Sequence, residues 1–122
     1  MMANDTIFLD VPSKPDYISL IRLTTSGIAH NMRFSIDDIE DVKVCVAEAC
    51  VNVLNLNNVD KISIAYEVRE DRLVIKVKDV IENISSELDR SEEGELGLLI
   101  IKSLMDEVIF TKEGIEMTKY IE

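Results

Sequence analysis

Glu48 and Asn52 are the polar pair in this sequence whose types and spacing best suit chemistry. They lie four residues apart in a stretch that is otherwise apolar or small. On a helix this spacing places both side chains on one face, about 40° apart around the axis. A carboxylate and an amide held together in this way can take a proton and a metal-bound water. The pair also fits the solvated face of an ordinary helix, and the spacing alone leaves both interpretations open.

Three further residues are candidates for a ligand site. Asp79 follows a strand-like run, and a carboxylate at a buried strand end can accept a hydrogen bond from a base amino group. An aspartate at such a position also commonly starts a turn. Gly94 and Gly97 precede the third predicted helix, whose first free N–H groups would face an anion. Two glycines with this spacing are equally compatible with an ordinary helix start.

Other kinds of catalytic site find no support in the sequence. His30 is the only histidine and has no Ser or Cys partner at a spacing typical of nucleophilic catalysis, so it is predicted to lie on the surface of the first helix. Neither a P-loop nor a dinucleotide-binding fingerprint is present. Cys45 and Cys50 lie too far apart on a predicted helix to form a disulfide, and are predicted to be core thiols in a reducing compartment.

The composition predicts one acidic domain spanning residues 1–122. This length suffices for a domain with its own core. The 13 Lys and Arg residues against 24 Asp and Glu give a net charge of −11, which argues against nucleic acid or an anionic membrane as partner. The longest apolar run, residues 96–101, is too short to span a bilayer, and the N-terminus lacks a signal-peptide pattern. We therefore expect a cytoplasmic protein.

The apolar positions predict the elements that must hold these side chains. Period-two runs predict strands over residues 6–11, 62–68, 73–77, 108–111 and 115–121. Helical periodicity predicts helices over residues 16–32, 36–53 and 96–105, with Ser35 and Asp38 as a capping pair before the second. The acidic residues 80–95 lack periodicity and are predicted to form an exposed loop. Hairpins mixed with helices predict an α+β fold, a two-layer sandwich of one mixed, mostly antiparallel sheet with helices on one face.

Several segments together resemble one known family over almost the whole chain, from about Thr6 to Ile121. These segments are Ile21-Arg22-Leu23-Thr24, Asp41-Val42-Lys43, Glu48-Ala49-Cys50-Val51-Asn52, Leu104-Met105-Asp106-Glu107-Val108 and Met117-Thr118-Lys119-Tyr120. Their order and spacing are similar to those of the bacterial anti-sigma factors that are also serine-protein kinases. This family of partner-switching regulators belongs to the histidine-kinase-like ATPase superfamily, whose α/β sandwich is called the Bergerat fold.

The resemblance implies an activity and assigns roles to particular residues. Proteins of this family sequester a sigma factor, bind Mg-ATP and phosphorylate a serine on an anti-anti-sigma antagonist, and a homodimer is expected. By the resemblance, Glu48 is the general base, Asn52 is the Mg²⁺ ligand and Asp79 holds the adenine amino group. Gly97 would lie beside the phosphates, and Arg22 would lie where the family meets its partners.

The sequence departs from the family pattern at the positions that touch nucleotide. Ile81 and Asn83 replace the glycines of the D-x-G-x-G box, and Glu95 replaces the first glycine of the G-x-G-L box, with Gly94 one residue earlier. The connection between the boxes, which would form the lid over ATP, is short. Leu56-Asn57-Asn58 replaces the His-x-Tyr that follows the helix asparagine. Isoleucine resists the backbone geometry that glycine permits, and Glu95 would repel a triphosphate.

Two functions follow from the family pattern and these departures. The first is an anti-sigma module that binds a sigma factor and an antagonist, with a nucleotide site too altered to bind ATP well. The second is an active serine-protein kinase with a minimal lid, in which Glu48 activates the substrate serine. Phosphoryl transfer depends mainly on positioning and charge neutralisation, so a short lid by itself does not exclude the kinase.

Overall fold

The computed structural model of the chain describes residues 4–82 and 92–122, and the side chains of the second range from residue 96 onward. Its elements follow one another as β1 (Asn4–Pro12), a 3₁₀ turn (Pro15–Tyr17), α1 (Ile18–Asn31), α2 (Ile36–Leu56), β2 (Lys61–Arg69), β3 (Arg72–Lys78), α3 (Glu92–Leu104), β4 (Glu107–Phe110) and β5 (Gly114–Tyr120). None of the helices in these ranges is long and apolar enough to cross a membrane.

The five strands form one sheet in the order β1-β2-β3-β5-β4, antiparallel at each of its four pairings. Alternate strand residues face the helices and are buried, because successive side chains of a strand point to opposite faces. Those of the central strands are Ile62, Ile64, Tyr66, Leu73, Ile75, Val77, Ile115 and Met117. They form one core with residues of α1, α2 and α3. The predicted α+β class, with helices on one face of a mostly antiparallel sheet, is confirmed.

The start of α2 agrees with its predicted cap. The Ser35 side chain accepts a hydrogen bond from the Asp38 backbone N–H at 3.1 Å, and Asp37 and Asp38 lie in the first turn, where the helix dipole favours negative charge. Ile36, however, is 80% exposed, although it begins the run of apolar positions whose helical spacing predicts this helix. As the first residue of the helix, it lies before the turns that pack on the sheet.

The start of α3 was predicted wrongly. The helix begins at Glu92 rather than Leu96, so Gly94 lies inside it rather than before it, and Gly97 lies more than a turn from its start. Glutamate is a good helix former and is favoured in a first turn, which extends the helix into the acidic segment. The predicted exposed loop also fails at its other end, because Val80 is buried. The middle of that loop, residues 83–91, lies outside the described residues.

Lys119, a buried lysine of β5, connects the start of α2 and the end of α3 to the sheet. The Lys119 ammonium donates a hydrogen bond to the carbonyl of Leu104, the last residue of α3, at 2.8 Å. It also lies 3.7 Å from the Asp38 carboxylate on α2 and 3.9 Å from that of Asp106. A cation at a helix C-terminus stabilises its unpaired carbonyls. This contact fixes the end of α3 against the start of α2.

Candidate active site

Glu48 of α2 and Gly97 of α3 lie against each other. A Cβ atom placed on Gly97 would come within 2.6 Å of the Glu48 Oε1 atom, closer than side chains approach. Glu48 is half-buried, so its carboxylate lies along the α2–α3 contact rather than in open solvent. The structure thus brings together the predicted general base and the predicted phosphate-site glycine. The space beside the Gly97 backbone is taken by the protein's own carboxylate.

The Gly97→Ala variant is expected to melt within a few degrees of the wild type. Alanine favours a helix interior over glycine by about 1 kcal/mol, whereas the new methyl group must displace the Glu48 carboxylate. The displaced group is the end of a flexible side chain, so it can move at modest cost. The helix gain and the cost of displacement are therefore opposite in sign and similar in size. Thermal unfolding followed by circular dichroism measures the balance.

A double-mutant cycle with Glu48→Ala separates the two effects. Once the carboxylate is removed, Gly97→Ala should show its full helix gain, so that it stabilises the Glu48→Ala background by at least about 0.5 kcal/mol more than the wild type. Equal effects in both backgrounds would mean that Glu48 does not contact Gly97 in solution.

The Asn52 side chain is buried and bonded through both of its polar atoms. Its Nδ2 donates to the Ile81 carbonyl at 2.9 Å, and its Oδ1 accepts from the Ile81 N–H at 2.8 Å. The partners fix the amide orientation, since a backbone N–H only donates and a carbonyl only accepts. Asn52 lies on the same helix as Glu48, as predicted. Its side chain, however, faces the protein's own backbone.

Asp79 ends β3 in a sharp turn beside this contact. Its φ of 67° lies in the left-handed region, which aspartate and asparagine tolerate better than most residues. Its N–H donates to the Glu113 carbonyl at 2.7 Å, and its carbonyl accepts from the Asn57 Nδ2 at 2.9 Å. The sequence singled out Asn57 only as part of the segment that replaces the family's His-x-Tyr, and it assigned the residue no role. That position in the family pattern was the one signal that could have identified it.

The remaining predicted residues are more dispersed. Gly94 lies in the first turns of α3, three residues before Gly97. Arg22 lies on the exposed side of α1, between Leu20 and Leu23, whose side chains are also exposed. His30 is exposed in the last turn of α1, as predicted.

The buried thiols of α2, Cys45 and Cys50, are held in their neutral form. Burial, with a smaller contribution from the Asp41 carboxylate, raises the pKa of Cys45 to about 12. Burial alone raises the pKa of Cys50 to about 12. A thiol of such high pKa is not a nucleophile at neutral pH. Both cysteines are free and buried, so the prediction of core thiols is confirmed.

The residues as placed do not fit a magnesium ion. Both polar atoms of Asn52 are bonded to backbone, and no group of three or more His, Cys, Asp or Glu residues within the described ranges is arranged to hold a metal. Magnesium requires near-octahedral oxygen ligands at short distance and keeps several waters. Asn52 is only 6% exposed, and its amide is already bonded at both ends.

Sequence comparison agrees with the observed fold. The profile of the histidine kinase-like ATPase domain matches residues 11–119. The chain belongs to this family. The resemblance identified from its motifs is confirmed.

Relatives from several bacteria carry the name serine-protein kinase RsbW. The protein of Bacillus licheniformis is 40% identical over 141 aligned positions, covering 98% of this chain and 88% of the relative. That of Staphylococcus aureus strain MRSA252 is 39% identical over 140 positions, covering 97% and 88%. That of Bacillus velezensis is 36% identical over 138 positions, covering 96% and 86%. Each alignment is longer than the 122 residues of this chain, so each relative has residues that the chain lacks.

Proposed function

We propose that this protein is a cytoplasmic anti-sigma regulator of the partner-switching type, which binds a sigma factor and an anti-anti-sigma antagonist. Its family membership, its similarity over nearly its full length to proteins named serine-protein kinase RsbW, and its family-like segments support this proposal. In this function the nucleotide site is degenerate and control is exerted by binding. The chain's strong negative charge suits partners with basic surfaces and disfavours nucleic acid.

The observation that carries the degenerate site is the bond pair between Asn52 and Ile81. Phosphoryl transfer depends on neutralising the charge that builds on the transferred group. Asn52, which the family pattern assigns as the metal ligand, uses both of its polar atoms in hydrogen bonds to the Ile81 backbone. Ile81 itself stands where the family has a glycine, so the backbone that should approach the nucleotide carries a branched side chain instead.

An active serine-protein kinase is the second candidate function. It is favoured by the half-buried Glu48 carboxylate, which lies beside Gly97, and by the names of the relatives. In this function Glu48 would accept the proton of the substrate serine hydroxyl as that oxygen attacks the γ-phosphorus of ATP, whose bond to the β,γ-bridging oxygen breaks to release ADP. Asp79 would accept a hydrogen bond from the adenine amino group, and magnesium would neutralise the phosphates.

The proposed partner surface is the exposed face of α1. Arg22 is exposed there, with Leu20 45% exposed and Leu23 70% exposed on either side of it. A guanidinium among apolar side chains is typical of the residues that dominate binding energy at interfaces. The homodimer expected from the resemblance would use α1 and the adjacent sheet edge, where β1 exposes Phe8. Sedimentation equilibrium tests that oligomeric state.

Arg22→Ala is expected to weaken binding of the cognate sigma factor or antagonist by at least about 30-fold, the factor that corresponds to a 2 kcal/mol hot spot. The melting temperature should stay unchanged, because the side chain is exposed and no hydrogen bond or ion pair involves it among the described residues. Titration calorimetry and thermal unfolding measure the two quantities. A melting temperature that falls with the affinity would assign Arg22 a structural role instead.

A phosphotransfer assay distinguishes the two functions. With labelled ATP, magnesium and the cognate antagonist, the wild type is expected to give no more labelled antagonist than Glu48→Ala does. Labelling by the wild type that disappears in Glu48→Ala would instead establish the kinase. Sigma-factor binding by both proteins serves as the control that each is folded and that the cognate partners are in hand.

A further inference from the structure

The segment that follows β3 is fixed from three sides. At Asp79 the chain turns through the left-handed region, and its N–H bonds the Glu113 carbonyl of the β4–β5 turn. Val80 is 7% exposed and belongs to the hydrophobic core. Ile81 is held by α2 through the two hydrogen bonds of Asn52. Residues 79–81 therefore form an anchored edge of the site.

Breaking the two hydrogen bonds of Asn52 would cost free energy. The side chain is 6% exposed, and an amide buried to this degree loses free energy unless both of its polar ends are paired. The Ile81 backbone pairs both ends at good distance, and no buried side-chain N or O atom in the described part of the chain lacks a partner. Opening this contact would leave two backbone groups and one amide to be satisfied by other means.

We propose that Asn52 is a backbone clamp, which holds the segment after β3 against α2 and replaces the divalent-cation ligand of the family pattern. The Oδ1 atom keeps a second lone pair, but Asn52 is only 6% exposed and its amide is already bonded at both ends. In this role Asn52 ligates no cation, whatever the site binds. This inference goes beyond the proposed function, because it fixes the role of one residue whichever partners the protein binds.

Hydrogen exchange on the wild-type protein tests the clamp directly. The Ile81 N–H should exchange at least about tenfold more slowly than in an unstructured peptide, the factor that corresponds to 1.4 kcal/mol. Its rate should not change when magnesium chloride, or magnesium with ATP, is added. An Ile81 amide that exchanges freely overturns the proposal. So does one that loses protection when magnesium and ATP are added, since Asn52 would then be released to the metal.

The Asn52→Asp and Asn55→Asp variants form a matched pair. Both add one negative charge to the last turns of α2, but Asn55 is exposed. In Asn52→Asp a carboxylate oxygen faces the Ile81 carbonyl and the donor is lost, so we expect a lower melting temperature than in Asn55→Asp and at least tenfold faster exchange at Ile81. Both measurements are made in EDTA and repeated with magnesium chloride, which should not restore either value.

A metal ligand would behave in the opposite way. Aspartate binds magnesium at least as well as asparagine, so a ligand role predicts that Asn52→Asp melts like Asn55→Asp in EDTA and gains stability from magnesium chloride. Either result overturns the clamp. If Asn52→Asp does not fold, the wild-type exchange measurement still decides. The binding and phosphotransfer measurements on the partners are independent of all these readings, so failure of the proposed function would be recognised separately.

Discussion

Among alanine substitutions at the described glycines, Gly114→Ala is expected to lower the stability of the protein most. A Cβ atom there would lie 2.1 Å from the Val77 carbonyl oxygen and 3.0 Å from the Asp79 nitrogen. Both are backbone atoms of the neighbouring strand end, so neither can move without disrupting the β3–β5 pairing. The φ of 155° adds strain for any residue with a side chain. Overpacking and backbone strain together should cost about 2–6 kcal/mol, or roughly 8 °C or more in melting temperature.

Gly27→Ala provides the matched control. A Cβ atom at Gly27 meets nothing within 4 Å, and the residue lies inside α1. Alanine there should stabilise the protein by about 0.5–1 kcal/mol through its better helix propensity. The two glycine-to-alanine substitutions are therefore expected to move the melting temperature in opposite directions. Equal melting temperatures for Gly114→Ala and the wild type would contradict the close packing of the β3 and β5 ends.

The effect of Gly114 reaches the candidate site through the chain. A Gly114 side chain would strike backbone atoms of the turn at Asp79. The N–H of Asp79 also donates a hydrogen bond to the carbonyl of Glu113, the residue before Gly114. Displacing that turn would also pull on Ile81 and its bonds to Asn52. Gly114→Ala is therefore expected to expose the Ile81 amide as well as lower stability. The closing hairpin positions the site although it carries none of the predicted site residues.

The local features of this fold could be predicted because each is encoded within a few residues. Every predicted strand overlaps one observed strand, since a sheet with one buried face imposes alternation on its own sequence. The Ser35 cap depends on a residue only three positions away. The start of α3 was missed because glutamates support a first turn through the helix dipole rather than by burial, and so leave no apolar periodicity.

The contacts made by the site residues could not be predicted from the sequence. The spacing of Glu48 and Asn52 placed them on one helix face, and the family pattern added Asp79 and Gly97. Nothing local indicates that Asn52 bonds a backbone 29 residues away, or that a carboxylate rests on Gly97. These contacts depend on how α2 packs against α3 and against the end of β3. The same residue types therefore serve a metal site or a clamp, according to the tertiary structure.

The protein is expected to lose stability steeply in alkali, because three buried groups must stay protonated in the fold. Burial raises the pKa of Cys45 and Cys50 from 9.0 to about 12 and that of Tyr66 from 10.0 to about 12. The Asp41 and Glu48 carboxylates also raise the pKa of Cys45, and Lys119 lowers it. Since the folded-state values lie above the unfolded ones, this stabilisation is complete below pH 9 and is lost as pH rises toward 12.

The loss of stability should be large enough to measure well below pH 11. Each group contributes a slope of about 1.4 kcal/mol per pH unit between its unfolded and folded pKa values. Together they remove about 7 kcal/mol by pH 11, a large part of the 5–15 kcal/mol that is typical of a folded domain. Urea unfolding under reducing conditions at several values between pH 8 and pH 10.5 measures the slope.

The Tyr66→Phe and Cys50→Ala variants assign the slope to particular groups. Tyr66→Phe removes the 2.7 Å hydrogen bond with the Thr25 hydroxyl and so lowers stability at neutral pH, yet its slope above pH 10 should be shallower than that of the wild type. Cys50→Ala should flatten the slope from pH 9 upward. Slopes that match the wild type in both variants would mean that alkaline unfolding comes from repulsion among surface charges, for which the net charge of −11 offers a ready source. A flattened slope in each would instead show that the core under α2, rather than the acidic surface, sets the alkaline limit of this fold.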